Sequence, residues 1–305
     1  MEYFIVNVMT EFQTQIDRYF RVKLLHEAAQ AAIKIKCSES LLFGKMTLLH
    51  YRMFGGKDTG IYKAAAAVEM MILALDIIDD IQDEDHTDMP WCRMPKEIAL
   101  NLALGFLSLS QEALLRSGWP AEQVRSIAAL FNDQLLAAIN GQTLDLLNEI
   151  ETEEDYLSMV RQKSAALLVC ACMTGVILAT GSADQRVAEY AEEIGIAAQI
   201  KNDYRDLLNW DGKNDFIRRK RTLPLLFLLA EIGENDKWIA ECFAGSLEPE
   251  DVLHRFAEFG EAVERTGTQL YTSVRMRSHY YRFLEVIERM ELDSKWRDLI
   301  IEAAM

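Results

Sequence analysis

Carboxylates crowd this chain at two places, each time at the end of an apolar stretch. The first is Ala74-Leu75-Asp76-Ile77-Ile78-Asp79-Asp80-Ile81-Gln82-Asp83-Glu84-Asp85. Asp79 and Asp83 share a face if the segment is helical, with Asp80 beside them. Like charges at that spacing repel, so an apolar helix that carries them points to a bound cation, although a solvated helix end would carry the same residues. The second is Gln199-Ile200-Lys201-Asn202-Asp203-Tyr204-Arg205-Asp206, where Asn202, Asp203 and Asp206 fall within about one turn after the apolar residues 194–198. Magnesium takes few protein ligands and completes its octahedron with water and phosphate oxygens. Two sparse acidic sets facing one cavity therefore suit a metal-bridged diphosphate.

Basic residues stand where they could hold such a leaving group: Lys163 in Arg161-Gln162-Lys163-Ser164, Lys213 in Asp211-Gly212-Lys213, and Lys220 in Arg219-Lys220-Arg221-Thr222-Leu223-Pro224. Taken singly, each lysine reads equally as a solvated surface residue. In Gly141-Gln142-Thr143-Leu144-Asp145, Gln142 lies on an otherwise apolar helix face, where an unpaired amide is costly. A structural bond between helices would account for it too.

The elements that position these residues are helices. Gly (15) and Pro (5) are scarce, half the residues are apolar, and apolar positions recur every three or four residues, with no strand run. The pattern predicts helices over 11–36, 39–54, 61–83, 96–117, 120–149, 153–180, 183–210, 222–243, 249–290 and 294–304. Pro120 opens one, Thr152 with Asp155 resembles a capping box, and Ser117-Gly118 and Gly181-Ser182 mark ends. Short connections imply antiparallel neighbours in one all-α bundle spanning 1–305.

A formal charge of −16 argues against a nucleic-acid partner, which needs a basic stripe. The five cysteines form no C-x-x-C and suit a reducing compartment. The N-terminus lacks the basic flank of a signal peptide, and the apolar run from Ala165 to Gly181 is broken by Thr174 and Gly175, so no transmembrane segment is expected and the cytoplasm is the default. His26, His50, His86, His254 and His279 follow no ligand spacing. Tyr271, Tyr280 and Tyr281 with Arg275, Arg277 and Arg282 read as a solvated bundle face, with peptide or peripheral membrane contact as the other reading.

Taken in order, these motifs resemble the trans-isoprenyl diphosphate synthase superfamily over nearly the whole chain. Residues 79–83 match its first aspartate-rich motif and residues 202–206 look like a variant of its second. Residues 141–145, Lys163-Ser164 and residues 220–224 are similar to its other signatures. The resemblance implies an isoprenoid-synthase bundle with a central cavity, homodimers, and an allylic prenyl diphosphate as substrate. It implies magnesium on Asp79, Asp80, Asp83, Asn202, Asp203 and Asp206, and diphosphate contacts from Lys163, Lys213 and Lys220, with Gln142 and Gln199 near them. Asp79, Asp80, Asp83, Lys163 and Asp203 would carry catalysis. The hydrocarbon tail would run past Leu75, one turn from Asp79, and Ala74; ordinary core packing explains that pair equally.

The departures are informative. Chain-elongating synthases carry cations after Gly-Gly-Lys and paired arginines after the first motif; here Gly55-Gly56-Lys57 runs into Asp58-Thr59-Gly60, and residues 86–93 hold only Arg93. Ile72 replaces the usual His of the second-diphosphate pocket. Loss of those cations weakens a second diphosphate and favours an uncharged acceptor. That pattern resembles the bacterial competence-pheromone branch, which implies transfer of a geranyl or farnesyl group to a tryptophan of a small precursor peptide in quorum sensing. Three rivals stay open: an elongating synthase relying on Lys57 and Arg93, a terpene cyclase, and a non-catalytic subunit of a heteromeric synthase.

Overall fold

The computed structural model describes residues 2–83, 88–209 and 214–304, and among them every regular element is helical. The helices are α1 (Glu2–Tyr19), α2 (Lys23–Ser38), α3 (Leu42–Met53), α4 (Ile61–Asp83), α5 (Lys96–Leu115), α6 (Ala121–Leu147), α7 (Glu153–Val160), α8 (Ala166–Thr180), α9 (Gln185–Leu208), α10 (Leu223–Glu231), α11 (Lys237–Phe243), α12 (Pro249–Val252), α13 (Phe256–Arg265), α14 (Thr268–Arg289) and α15 (Ser294–Ala303). A π-helical turn, Arg161–Ala165, joins α7 to α8.

Three expected long helices are broken. The helix read over 11–36 is α1 and α2, parted at Phe20, whose buried ring packs edge-on against Phe106 with centroids 6.0 Å apart. No Gly or Pro marks that break, because tertiary burial makes it. The helix read over 222–243 stops at Ile232, whose backbone is extended, and resumes after a 3-10 turn that buries Asp236 against Arg265. The helix read over 249–290 is divided by a 3-10 turn at Leu253–Arg255 and by Gly267 at φ 75°. There the glycine was the available signal. The Thr152–Asp155 capping box is formed, and Gly118 and Gly181 take positive φ just past their helices.

The chain groups into two compact units: Met1–Gln134 with Leu167–Ala188 and Ser294–Met305, and Leu135–Ala166 with Glu189–Asp293. In the first, α4 is the hub. Its residues Ala64–Ala74 are all buried, as a helix apolar on every side must be, and it packs against α1, α3 and α5. Small residues permit the close approaches. A Cβ on Gly175 of α8 would sit 2.3 Å from the Thr47 carbonyl oxygen of α3.

In the second unit Phe216, Trp238 and Phe259 form an aromatic core, with the Phe216 and Phe259 rings 4.7 Å apart. Tyr271 stacks on Phe227 at 4.0 Å, and Tyr271 and Arg275 both engage Glu153, so this part of the C-terminal aromatic and basic stretch is packing. His50 and His279 are buried core residues. Two helical stretches, Lys96–Leu115 and Glu153–Thr180, are long and apolar enough to cross a membrane by length and composition, and much of each is buried inside the fold.

Gly175→Ala should destabilise the protein by about 1–3 kcal/mol, because backbone on α3 has to move to admit the methyl. Thermal unfolding of the variant checks this.

Candidate active site

In the first unit the unbroken burial of α4 ends at Ala74, and beyond it buried and partly exposed residues alternate. Leu75, Asp76, Asp79 and Asp83 are all partly exposed, while Ala74 has no exposed surface. Asp76, Asp79 and Asp83 stand at i, i+3 and i+7, so one face carries all three carboxylates. Asp80, beside them, is buried and is held by an indole: Trp91 Nε1 donates to Asp80 Oδ2 at 2.8 Å. Trp91 itself is buried, in the turn that precedes α5.

The loop after α3 is tied by its own residues. Arg52 donates to the Gly56 carbonyl at 2.9 Å, the Asp58 amide donates to the Tyr51 hydroxyl at 3.0 Å, and the Gly60 amide donates to Asp58 Oδ1 at 2.6 Å. Asp58 and Arg52 thus close a turn, and Lys57 is left as the exposed cation of the loop. Ile72 is buried.

In the second unit the π-helical turn carries Lys163. Gly141 of α6 lies directly against it, since a Cβ there would fall 2.2 Å from the Lys163 backbone nitrogen. Lys163 Nζ donates to Asp145 Oδ2 at 2.5 Å, and Lys220 Nζ lies 3.5 Å from the same oxygen. Burial alone would raise the Asp145 carboxyl, but the two ammonium groups outweigh it and hold it below the usual range. Two lysines 57 positions apart in sequence therefore meet over one carboxylate. Such a pair can grip a diphosphate oxygen.

A hydrogen-bond chain fixes the second acidic set. The Ser164 hydroxyl donates to Gln199 Oε1 at 2.8 Å, Gln199 Nε2 donates to Asp203 Oδ1 at 2.7 Å, and the Tyr156 hydroxyl donates to Asp203 Oδ2 at 2.6 Å. Burial pushes the Asp203 carboxyl up to about 6, against both donors, which favour its charged form. Asp215, in the loop before α10, is pushed up to about 7, first by burial and then by the Asp203 carboxylate, with Lys220 opposing. Asn202 and Asp206 are half-buried on the same helix, and Arg205 donates to Asp206 at 3.3 Å.

Magnesium is the cofactor these residues imply. Among the described residues no three His, Cys, Asp or Glu side chains close into a cage. Each acidic set offers hard carboxylate oxygens, and each oxygen that accepts one hydrogen bond keeps a further lone pair. That donor set fits an ion that retains water and phosphate oxygens.

The sequence profile of the polyprenyl synthetase family matches residues 26–258. This chain belongs to the polyprenyl synthetase family. It is 29% identical over 254 residues to the tryptophan prenyltransferase ComQ of Bacillus spizizenii, covering 83% of this chain and 89% of that one. It is 29% identical over 281 residues to a short chain isoprenyl diphosphate synthase of Methanothermobacter thermautotrophicus, covering 84% of each. A geranylgeranyl pyrophosphate synthase of Corynebacterium glutamicum, solved with isoprenyl diphosphate and magnesium, superposes with a TM-score of 0.80. That pair is 19% identical, with 99% and 97% of the two chains covered. The fold is that of the isoprenoid synthases, and the family makes this chain a prenyltransferase.

Of the residues expected from sequence, the structure brings Lys163 to Lys220, and Gln199 to Asp203. Gln142 is half-buried on α6, next to Gly141. Lys213 lies outside the described residues. Sequence reasoning missed Trp91, Tyr156 and Asp215 and gave Asp145 no role. Asp145 stood in a quoted motif and could have been found there, whereas a tryptophan or tyrosine aimed at a carboxylate leaves no mark in the spacing.

Lys163→Ala and Lys220→Ala should each raise the KM for an allylic diphosphate roughly tenfold to a hundredfold, the usual worth of a charged hydrogen bond. Steady-state kinetics measures it. Asp215→Asn should raise the Tm of the metal-free protein more at pH 8 than at pH 5. The folded carboxyl is pushed up to about 7 against the ordinary aspartate value of 3.8, so its ionisation penalises the fold increasingly as pH rises between those values. Calorimetric scans at both pH values test the sign.

Proposed function

We propose that this prenyltransferase moves a geranyl or farnesyl group from an allylic diphosphate to a tryptophan of a small precursor peptide, maturing a quorum-sensing pheromone. One observation carries the reading. Residues suited to the first diphosphate are gathered and well supported, while the loop at 55–60, where elongating synthases hold a second one, is closed on itself by Asp58 and Arg52. The name of the Bacillus relative supports the same acceptor.

Asp79, Asp80, Asp83, Asn202, Asp203 and Asp206 are the residues proposed to hold magnesium, which when bound neutralises diphosphate charge. Lys163 and Lys220 give up Asp145 in part and donate to the departing diphosphate, stabilising the charge it gains as the allylic C–O bond breaks. Lys213 belongs to the same proposal by position in sequence. Gln199 and Tyr156 keep Asp203 oriented. Gln142 stands in the diphosphate neighbourhood, and Lys57 stays available to substrate as an exposed cation. Leu75 borders the prenyl tail. The bond electrons leave on diphosphate, the indole ring supplies the pair that forms the new C–C bond, and one N–H or ring proton is released.

A cytoplasmic location agrees with five cysteines that form no disulfide among the described residues. Pairing of two copies, as the family resemblance implies, belongs to the same proposal.

Purified protein with magnesium and labelled geranyl or farnesyl diphosphate should add prenyl mass to the tryptophan of a precursor peptide, and Asp79→Ala or Asp203→Ala should abolish it. Mass spectrometry of the peptide reads the result. Chain growth with isopentenyl diphosphate and an unmodified peptide would make the protein an elongating synthase. Hydrocarbon or alcohol formed without any acceptor would make it a cyclase.

A further inference from the structure

One ion cluster lies beside the residues assigned so far. Lys36 of α2 is buried, and its ammonium group lies 2.8 Å from Asp76 Oδ2, 3.3 Å from Glu39 and 4.0 Å from Glu69 Oε2. Glu69 is wholly buried. Its Oε1 accepts from the Gly44 amide at 2.6 Å, while Oε2 has no hydrogen-bond partner and faces Lys36. Burial pushes the Glu69 carboxyl up to about 7, with Lys36 opposing. Lys36 thus already has an inner partner in Glu69 and an outer one in Glu39 at the end of its own helix. Asp76 is a third carboxylate that neutralising one ammonium does not require.

Its placement suggests another use. Asp76 is on α4 three residues before Asp79, on the face shared with Asp83, and 47% of its side chain is exposed. Lys36 bonds to Oδ2, and among the described residues Oδ1 takes no hydrogen bond. The carbon attacked in prenyl transfer is one bond from a diphosphate oxygen. A nucleophile must therefore come within about one helical turn, roughly 5.4 Å, of whatever Asp79 holds. A fixed negative charge at that distance repels a second diphosphate and attracts an N–H donor. About one turn earlier on α4, Ile72 is apolar and buried. The protein already pairs an indole with a carboxylate on this helix, Trp91 with Asp80 at 2.8 Å.

We propose that Asp76 is the acceptor-selecting residue: fixed by Lys36, its carboxylate takes a hydrogen bond from an N–H of the uncharged acceptor and excludes a second diphosphate. The inference rests on the transfer reading above and adds the residue that enforces it.

The test measures binding to magnesium-loaded protein holding a non-ionising allylic diphosphate analogue, with N-acetyltryptophan amide and isopentenyl diphosphate as probes. Asp76→Leu should weaken the indole probe roughly tenfold or more. It should tighten isopentenyl diphosphate several-fold. Asp76→Asn, which keeps the size and leaves Lys36 with Glu39 and Glu69, should shift both in the same directions by less, so a poorly folded leucine variant does not end the test. Indole affinity equal to wild type in the folded variants, or no indole binding by wild type, overturns the assignment. If the variants lose indole affinity as expected but wild type never transfers a prenyl group to tryptophan, the assignment stands and the transfer reading falls.

Discussion

A carboxylate taken out of water must be given a counter-charge or hydrogen-bond donors, and the rest of this structure is arranged around that requirement. Asp145 receives two lysines, Asp203 a tyrosine and a glutamine, Asp80 an indole, and Glu69 a lysine and a backbone amide. Each solution differs in what it leaves available. Neutral donors hold Asp203 in place without cancelling its charge, which suits the cation-binding role proposed for it. Lysines on Asp145 do the opposite, since the carboxylate stores two cations that a diphosphate can claim.

Helix geometry is adjusted to deliver these donors. The π-helical turn at Arg161–Ala165 widens the helix where Lys163 and Ser164 project, and turns of this kind recur at functional sites. Glycines let backbones meet around it. Gly141 lies against Lys163, and a Cβ on Gly195 of α9 would come within 2.7 Å of Ala165 Cα. With α6 and α9 so close to the turn, Asp145 reaches Lys163 and Gln199 reaches Ser164 over ordinary hydrogen-bond lengths. A larger residue at Gly141 would lengthen the first link and one at Gly195 the second. The family motifs are in this sense packing motifs as much as chemical ones.

The loss of cations at 55–60 is more than a deletion of charge. Asp58 caps its own loop through the Gly60 amide, and Arg52 is spent on the Gly56 carbonyl, so the segment has a stable conformation that needs no ligand. A loop satisfied internally has little to gain from a second diphosphate. This is the structural feature on which the proposed change of acceptor rests.

Much was legible in the sequence, because the helical period and the clustering of carboxylates at helix ends are local properties. The all-α class, the helical identity of both acidic segments, the Thr152 capping box and the glycine stops at 118 and 181 all follow from short-range chemistry. The break at Phe20 does not, since burial against distant residues decides it, whereas at Ile232 the following Gly233 was a local signal. Nor does spacing show that Lys163 and Lys220 meet at Asp145, that Tyr156 and Trp91 aim at carboxylates, or that Asp203 helps push the Asp215 carboxyl up. Those are contacts between residues far apart in the chain. The sequence by itself determined which residues could do chemistry and on which helix face each would stand; only the tertiary structure decided which of them touch, because a hydrogen bond depends on distances that packing sets and periodicity does not encode.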